Sequence, residues 1–126
     1  MKLRLLVAED STEFRTLIVE AFSKRGWDVQ SVESGFEALA LIKAQKFDLL
    51  ISDIRMPNGT GIELMRDLKR VKASEPDRVP PIIITSGLLG NGERYFRLLG
   101  AQVVIEKPFR IEQLIEAAKK CIPEFK

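Results

Sequence analysis

Apolar residues recur along the chain in two rhythms, short unbroken runs and stripes spaced three or four residues apart. The runs Leu3 to Ala8, Phe47 to Asp53, Ile82 to Ile84 and Val103 to Ile105 are short enough to be strands buried on both faces. Trp27 to Val32 instead alternates apolar and polar residues, as an edge strand with one exposed face would. Between the runs lie helical stripes: Phe14, Leu17, Ile18, Ala21 and Phe22; Phe36, Leu39 and Ile42; Leu64, Met65, Leu68 and Val71; Ile111, Leu114, Ile115, Ala118 and Ile122.

Punctuation agrees with the rhythm. Ser11 or Thr12 can cap the first helix and Gly26 close it as a C′ residue, while Ser34 can cap the second. Thr60 and Glu63 have the spacing of a capping box, and Pro123 stops the last helix. Ala73 to Pro81 is polar, holds three prolines and reads as a loop. The fourth helix is the weakest, because Leu88 to Gly92 contains two glycines and only Glu93 to Leu99 remains before Gly100.

Five strands alternating with five helices predict an α/β fold, a doubly wound three-layer sandwich on a five-stranded parallel sheet. Residues 1–126 make one domain, since the two pieces flanking the proline-rich loop are each too small for a complete core. In such sheets ligands bind at the carboxyl ends of the strands, where the winding direction switches. With strand order 2-1-3-4-5 the switch lies between the first and third strands. That places Glu9 and Asp10 beside Asp53, at the exposed tip of the central strand, with Ser86 and Lys107 ending the next two.

Composition narrows the chemistry. The chain is 45% hydrophobic and 30% charged with a net charge of +2, so nothing in the balance demands nucleic acid or an anionic membrane. No apolar run approaches the roughly 18 residues of a membrane span, and Met1 to Val7 lacks a signal-peptide pattern, which predicts a soluble, cytoplasmic protein. The single Cys121 lies on the apolar face of the last helix and reads as core. The chain contains no histidine, so any chemistry must run on carboxylate, hydroxyl and lysine.

Three carboxylates crowded at one end repel one another, each pair by about 3 kcal/mol at ~5 Å and an effective dielectric of ~20. Either a proton is taken up or a cation binds. Oxygen ligands select a hard ion, and Mg²⁺ commonly takes one or two carboxylates, waters and phosphate oxygens. An aspartate beside Mg²⁺, a lysine and a hydroxyl has what in-line phosphoryl transfer onto a carboxylate requires. The bland readings stand beside this one: Glu9 or Asp10 caps the first helix, Asp53 opens a turn, Lys107 is a solvated strand end.

At these residues the chain resembles the receiver domains of two-component response regulators over nearly its whole length. The resemblance rests on Glu9-Asp10, on Asp53 followed by Met56-Pro57 and Gly61, on Ser86-Gly87, and on Lys107-Pro108-Phe109, in order and at compatible spacing. It implies Asp53 as phosphoacceptor, with Glu9, Asp10, Asp53 and the backbone carbonyl of Arg55 holding Mg²⁺. It implies Ser86 as the hydroxyl that bonds the phosphoryl group, with Thr85 the alternative, Lys107 as its ion partner, and a cis peptide before Pro108. Arg55 and Leu88 fall where phosphoryl lifetime is tuned.

The implied partners are a sensor histidine kinase or histidine phosphotransfer protein and a downstream target or effector domain, with no direct nucleic-acid contact and no membrane insertion. The implied activity is self-phosphorylation from a phosphohistidine or small-molecule donor, and autodephosphorylation, rather than turnover as an enzyme. One position departs from the pattern: Val104 stands where many receivers carry an aromatic residue three before the lysine. That feature favours a rival, a receiver-like scaffold independent of phosphorylation. A haloacid-dehalogenase-type phosphatase, a second rival, wants a second Asp two residues after the nucleophile, where this chain has Arg55.

Overall fold

A computed structural model describes residues 2–56, 60–87 and 92–126. Along the chain run β1 (Arg4–Ala8), α1 (Thr12–Ser23), β2 (Asp28–Val32), α2 (Gly35–Ala44) and β3 (Leu49–Asp53). They are followed by α3 (Gly61–Ser74), β4 (Ile82–Ser86), α4 (Gly92–Leu98), β5 (Val103–Glu106) and α5 (Ile111–Cys121). The strands are all parallel and pair in the order β2-β1-β3-β4-β5.

Alternation along the strands divides the core in two. Leu5, Val7, Leu49, Ile51, Ile83 and Ile105 face one way, onto α1 and α5, while Leu6, Ala8, Leu50, Ile84 and Val104 face the other, onto α2, α3 and α4. Strands buried on both faces explain why β1, β3 and β4 read as unbroken apolar runs. β2, at the edge, keeps exposed positions at Asp28 and Ser31.

Local chemistry sets the helix ends. Ser11 caps α1 and Ser34 caps α2, each accepting a backbone N–H one turn on. Thr60 and Glu63 form the expected reciprocal capping box, a device worth about 1 kcal/mol. Gly26 takes a φ of +88° but sits two residues past the α1 cap at Lys24, one further than the C′ position expected. At this end of the sheet the buried Trp27 packs edge-on to Phe22 and Phe125, at ring-centroid distances of 5.4 and 5.2 Å.

Two apolar stripes need correction. Leu17 is 41% exposed and Phe36 61% exposed, so neither belongs to the core. In α2 the inward positions are Gly35, Ala38 and Ile42, with Leu39 only partly covered. That helix is apolar on most of its circumference, so periodicity alone leaves its orientation undetermined, and the tight fit over β1 selects the small residues.

Candidate functional site

The carboxyl ends of three strands deliver charged residues to one place. Glu9 follows β1, Asp53 ends β3 and Lys107 follows β5, all in phase with the strand residues that face α1 and α5. One carboxylate oxygen from each of Glu9, Asp10 and Asp53 lies within 4.8 Å of the other two. Asp53 is not an exposed tip: it is 6% exposed and Glu9 1%, with only Asp10 open to solvent. The apolar run therefore carries the carboxylate into the protein rather than out of it.

Each buried charge has partners. Lys107 Nζ donates to Glu9 Oε1 at 2.8 Å, lies 3.3 Å from Asp53 Oδ2, and sits 4.4 Å over the Phe14 ring. The Ser11 N–H donates to Glu9 Oε2 at 3.1 Å, and the Ile54 N–H to Asp53 Oδ1 at 2.7 Å. Burial pushes the Glu9 carboxyl above its ordinary range, and the neighbouring Asp53 charge adds to this against the opposing bonds from Lys107 and Ser11. For Lys107 burial is the largest single influence and acts downward. The hydrogen bond to Glu9 and the two carboxylate charges together outweigh it, so the ammonium is held above the usual lysine range.

The backbone around Asp53 is tightly specified. The Ile54 N–H bonds the Thr85 carbonyl at 3.2 Å and the Gly61 N–H the Ile54 carbonyl at 2.8 Å. A Cβ on Gly61 would overlap the Asp53 carbonyl oxygen and the Ile54 Cα, so only glycine lets α3 start this close to β3. The Lys107 N–H donates to the Ser86 carbonyl at 2.7 Å, and the Lys107-Pro108 peptide is cis, as expected.

The two candidate hydroxyls are placed differently. Thr85 is buried, in register with Asp53. Ser86 lines a cavity of about 560 Å³ that also takes in Asp10, Arg55, Met56, Thr60 and Phe96, and Thr85 is not among its lining residues. Leu88 lies outside the described residues. Arg15, which motif reading did not single out, donates to the Glu9 carbonyl at 2.8 Å. Its position one turn after the Ser11 cap was the available signal, since a long donor there can turn back toward the preceding loop.

An all-oxygen donor set this close, without histidine or cysteine, suits Mg²⁺.

Comparison with known proteins agrees with this geometry. The family model described as the response regulator receiver domain matches residues 5–119. Sporulation initiation phosphotransferase F of Bacillus subtilis is 30% identical over 123 residues, spanning 98% of this chain and 96% of that protein. Sensor protein EvgS of Escherichia coli K12 is 39% identical over 75 residues, which is 60% of this chain but 6% of the sensor.

Among solved structures, the receiver domain of a Francisella response regulator superposes with a TM-score of 0.86 at 28% identity, covering 99% of this chain and 100% of that one. The receiver domain of a Pseudomonas aeruginosa sensor histidine kinase, described with a magnesium ion coordinated in its active site cleft, gives 0.84 at 25% identity, with 98% and 99% covered.

Proposed function

Because the chain belongs to the response regulator receiver family of two-component systems, we propose that Asp53 accepts a phosphoryl group from the phosphohistidine of a partner protein in the cytoplasm. The observation that carries this reading is the meeting of Asp53 with Glu9, Asp10 and the Lys107 ammonium at the strand ends. In the transfer an Asp53 carboxylate oxygen forms the new P–O bond as the P–N bond of the donor breaks, and the imidazole leaves with its electron pair. Glu9, Asp10, Asp53 and the Arg55 carbonyl would hold Mg²⁺, which would supply charge neutralisation for the phosphoryl oxygens.

The chain's own groups do the rest. Lys107, already 3.3 Å from Asp53 Oδ2, neutralises a phosphoryl oxygen. Ser86, on the cavity wall, hydrogen-bonds another and so couples the modified state to the end of β4. Arg55 borders the same cavity, and it sets how readily water reaches the phosphorus, a role that Leu88 shares by its place in the sequence. The modified domain then acts on a downstream target or passes the group to a histidine phosphotransfer protein.

Acetyl phosphate with Mg²⁺ should add one phosphoryl group by intact-mass spectrometry, and Asp53→Asn should abolish the gain. No gain under conditions that label another receiver would favour the scaffold reading, in which Val104 and the intact acids serve only architecture.

A further inference from the structure

Asp10 differs from its two acidic neighbours in how it is held. Lys107 grips Glu9 and Asp53 and backbone N–H groups bond both, whereas among the described residues no hydrogen bond or ion pair fixes the Asp10 carboxylate. Asp10 is also the exposed member of the trio. Its direction is therefore inherited from the backbone of the turn between β1 and α1.

That backbone is tied by the Ser11 N–H bond to Glu9 Oε2 and by the Glu9 N–H bond to the Val32 carbonyl, and one long side chain bonds the two carbonyls that flank the acids. Arg15 Nη1 donates to the carbonyl of Glu9 at 2.8 Å and reaches that of Asp10 at 3.4 Å. Nη2 is paired with Glu33 Oε1 at 3.2 Å and reaches Thr12 Oγ1 at 3.4 Å. The Arg15 side chain is 17% exposed, and its bond to the Glu9 carbonyl is partly buried while those to Asp10 and Thr12 lie open to solvent. A planar fork anchored outward on Glu33 and inward on two successive carbonyls restrains the turn that carries both acids.

We propose that Arg15 is a positioning residue for the cation site: it holds the β1–α1 turn so that the ungripped carboxylate of Asp10 stays aimed at Glu9 and Asp53. This rests on the reading that Mg²⁺ binds those acids. The sign of the effect separates positioning from simple charge. Arg15 is a cation near a cation site, so on electrostatics alone its removal would tighten Mg²⁺ binding. Its pairing with Glu33 offsets much of that repulsion, and loss of the restraint acts in the opposite direction, since ordering Asp10 then falls to the ion.

Calorimetric Mg²⁺ titration of the whole chain tests this, with melting temperature measured in chelator. Arg15→Met, which keeps the apolar stem and removes the donors, should weaken Mg²⁺ binding about fivefold at a temperature well below its melting point. Arg15→Lys should recover part of the loss. Binding equal to or tighter than wild type in Arg15→Met overturns the proposal. Should that variant fail to fold, Arg15→Lys, with charge kept and the fork lost, and Glu33→Gln, with the outer anchor cut, should each still bind more weakly; wild-type affinity in both overturns it. Asp10→Asn separates the layers. If it keeps wild-type affinity the ion site itself is misplaced, whereas a weakened Asp10→Asn beside an unaffected Arg15→Met removes only the role of Arg15.

Discussion

Lys107 Nζ lies closer to Glu9 than to Asp53, at 2.8 against 3.3 Å. The ammonium thus already neutralises part of the carboxylate charge that would draw a divalent cation. Lys107→Met should tighten Mg²⁺ binding several-fold while slowing phosphorylation of Asp53, because the cation that neutralises the phosphoryl oxygen is gone. Calorimetric titration and the rate of mass gain with acetyl phosphate check the two halves. Weaker Mg²⁺ binding in this variant would mean that Lys107 orients Glu9 more than it offsets its charge.

Gly61 is required by contact rather than by an unusual backbone angle. Gly61→Ala should destabilise the domain by roughly 1–3 kcal/mol, since the added methyl group must displace the Asp53 carbonyl or the start of α3. A denaturant melt would show this as a lower midpoint with unchanged slope. An unchanged midpoint would show that α3 can move off β3 without cost.

Phosphorylation should reach α4. Ser86 and Phe96 line one cavity, and Arg66 of α3 donates to the Tyr95 hydroxyl at 2.8 Å, so the end of β4 and the face of α4 share a boundary. Val104 is buried in register with Ile84 and lacks the reach to report on the site from β5. New hydrogen-exchange protection should appear over residues 92–98 on phosphorylation. Protection confined to α3 would sink this route.

Burial raises the Cys121 thiol, which is half-buried against the core under α1 and α5. The folded chain then holds its thiol proton more tightly than the unfolded chain does. The stability tied to this group is lost as pH rises from the unfolded thiol range near about 8.5 toward the raised value. Alkylation by iodoacetamide at pH 8 should be slower in the native than in the urea-unfolded chain, and Cys121→Ala should lack that part of the alkaline decline. Equal rates would place the thiol in solvent.

Motif reading found the acids and the lysine because each ends an apolar run, and strand ends at a topological switch converge whatever lies between them. The caps at Ser34 and Thr60 were legible for a similar reason, being set by residues within one turn. Phe36 and Leu17 were misjudged because helical spacing reports angle without saying which neighbour fills it. In α2 the close packing against β1 gives the inner face to Gly35 and Ala38. Arg15 escaped notice because its partners are backbone carbonyls, which leave no trace in residue type. The burial of Asp53 escaped for a different reason: a turn after a strand suggests solvent, whereas among the described residues Lys107 and the start of α3 lie against it.

Trp27, wedged between Phe22 and Phe125, is the chain's single tryptophan and precedes β2, at the opposite end of the sheet from the acids. Its indole emission is consequently a built-in optical gauge of the fold that stands apart from the chemistry. Quenching or red-shift on denaturation tracks the packing of α1 against the chain's last residues, while filling of the acidic cleft leaves that emission almost undisturbed.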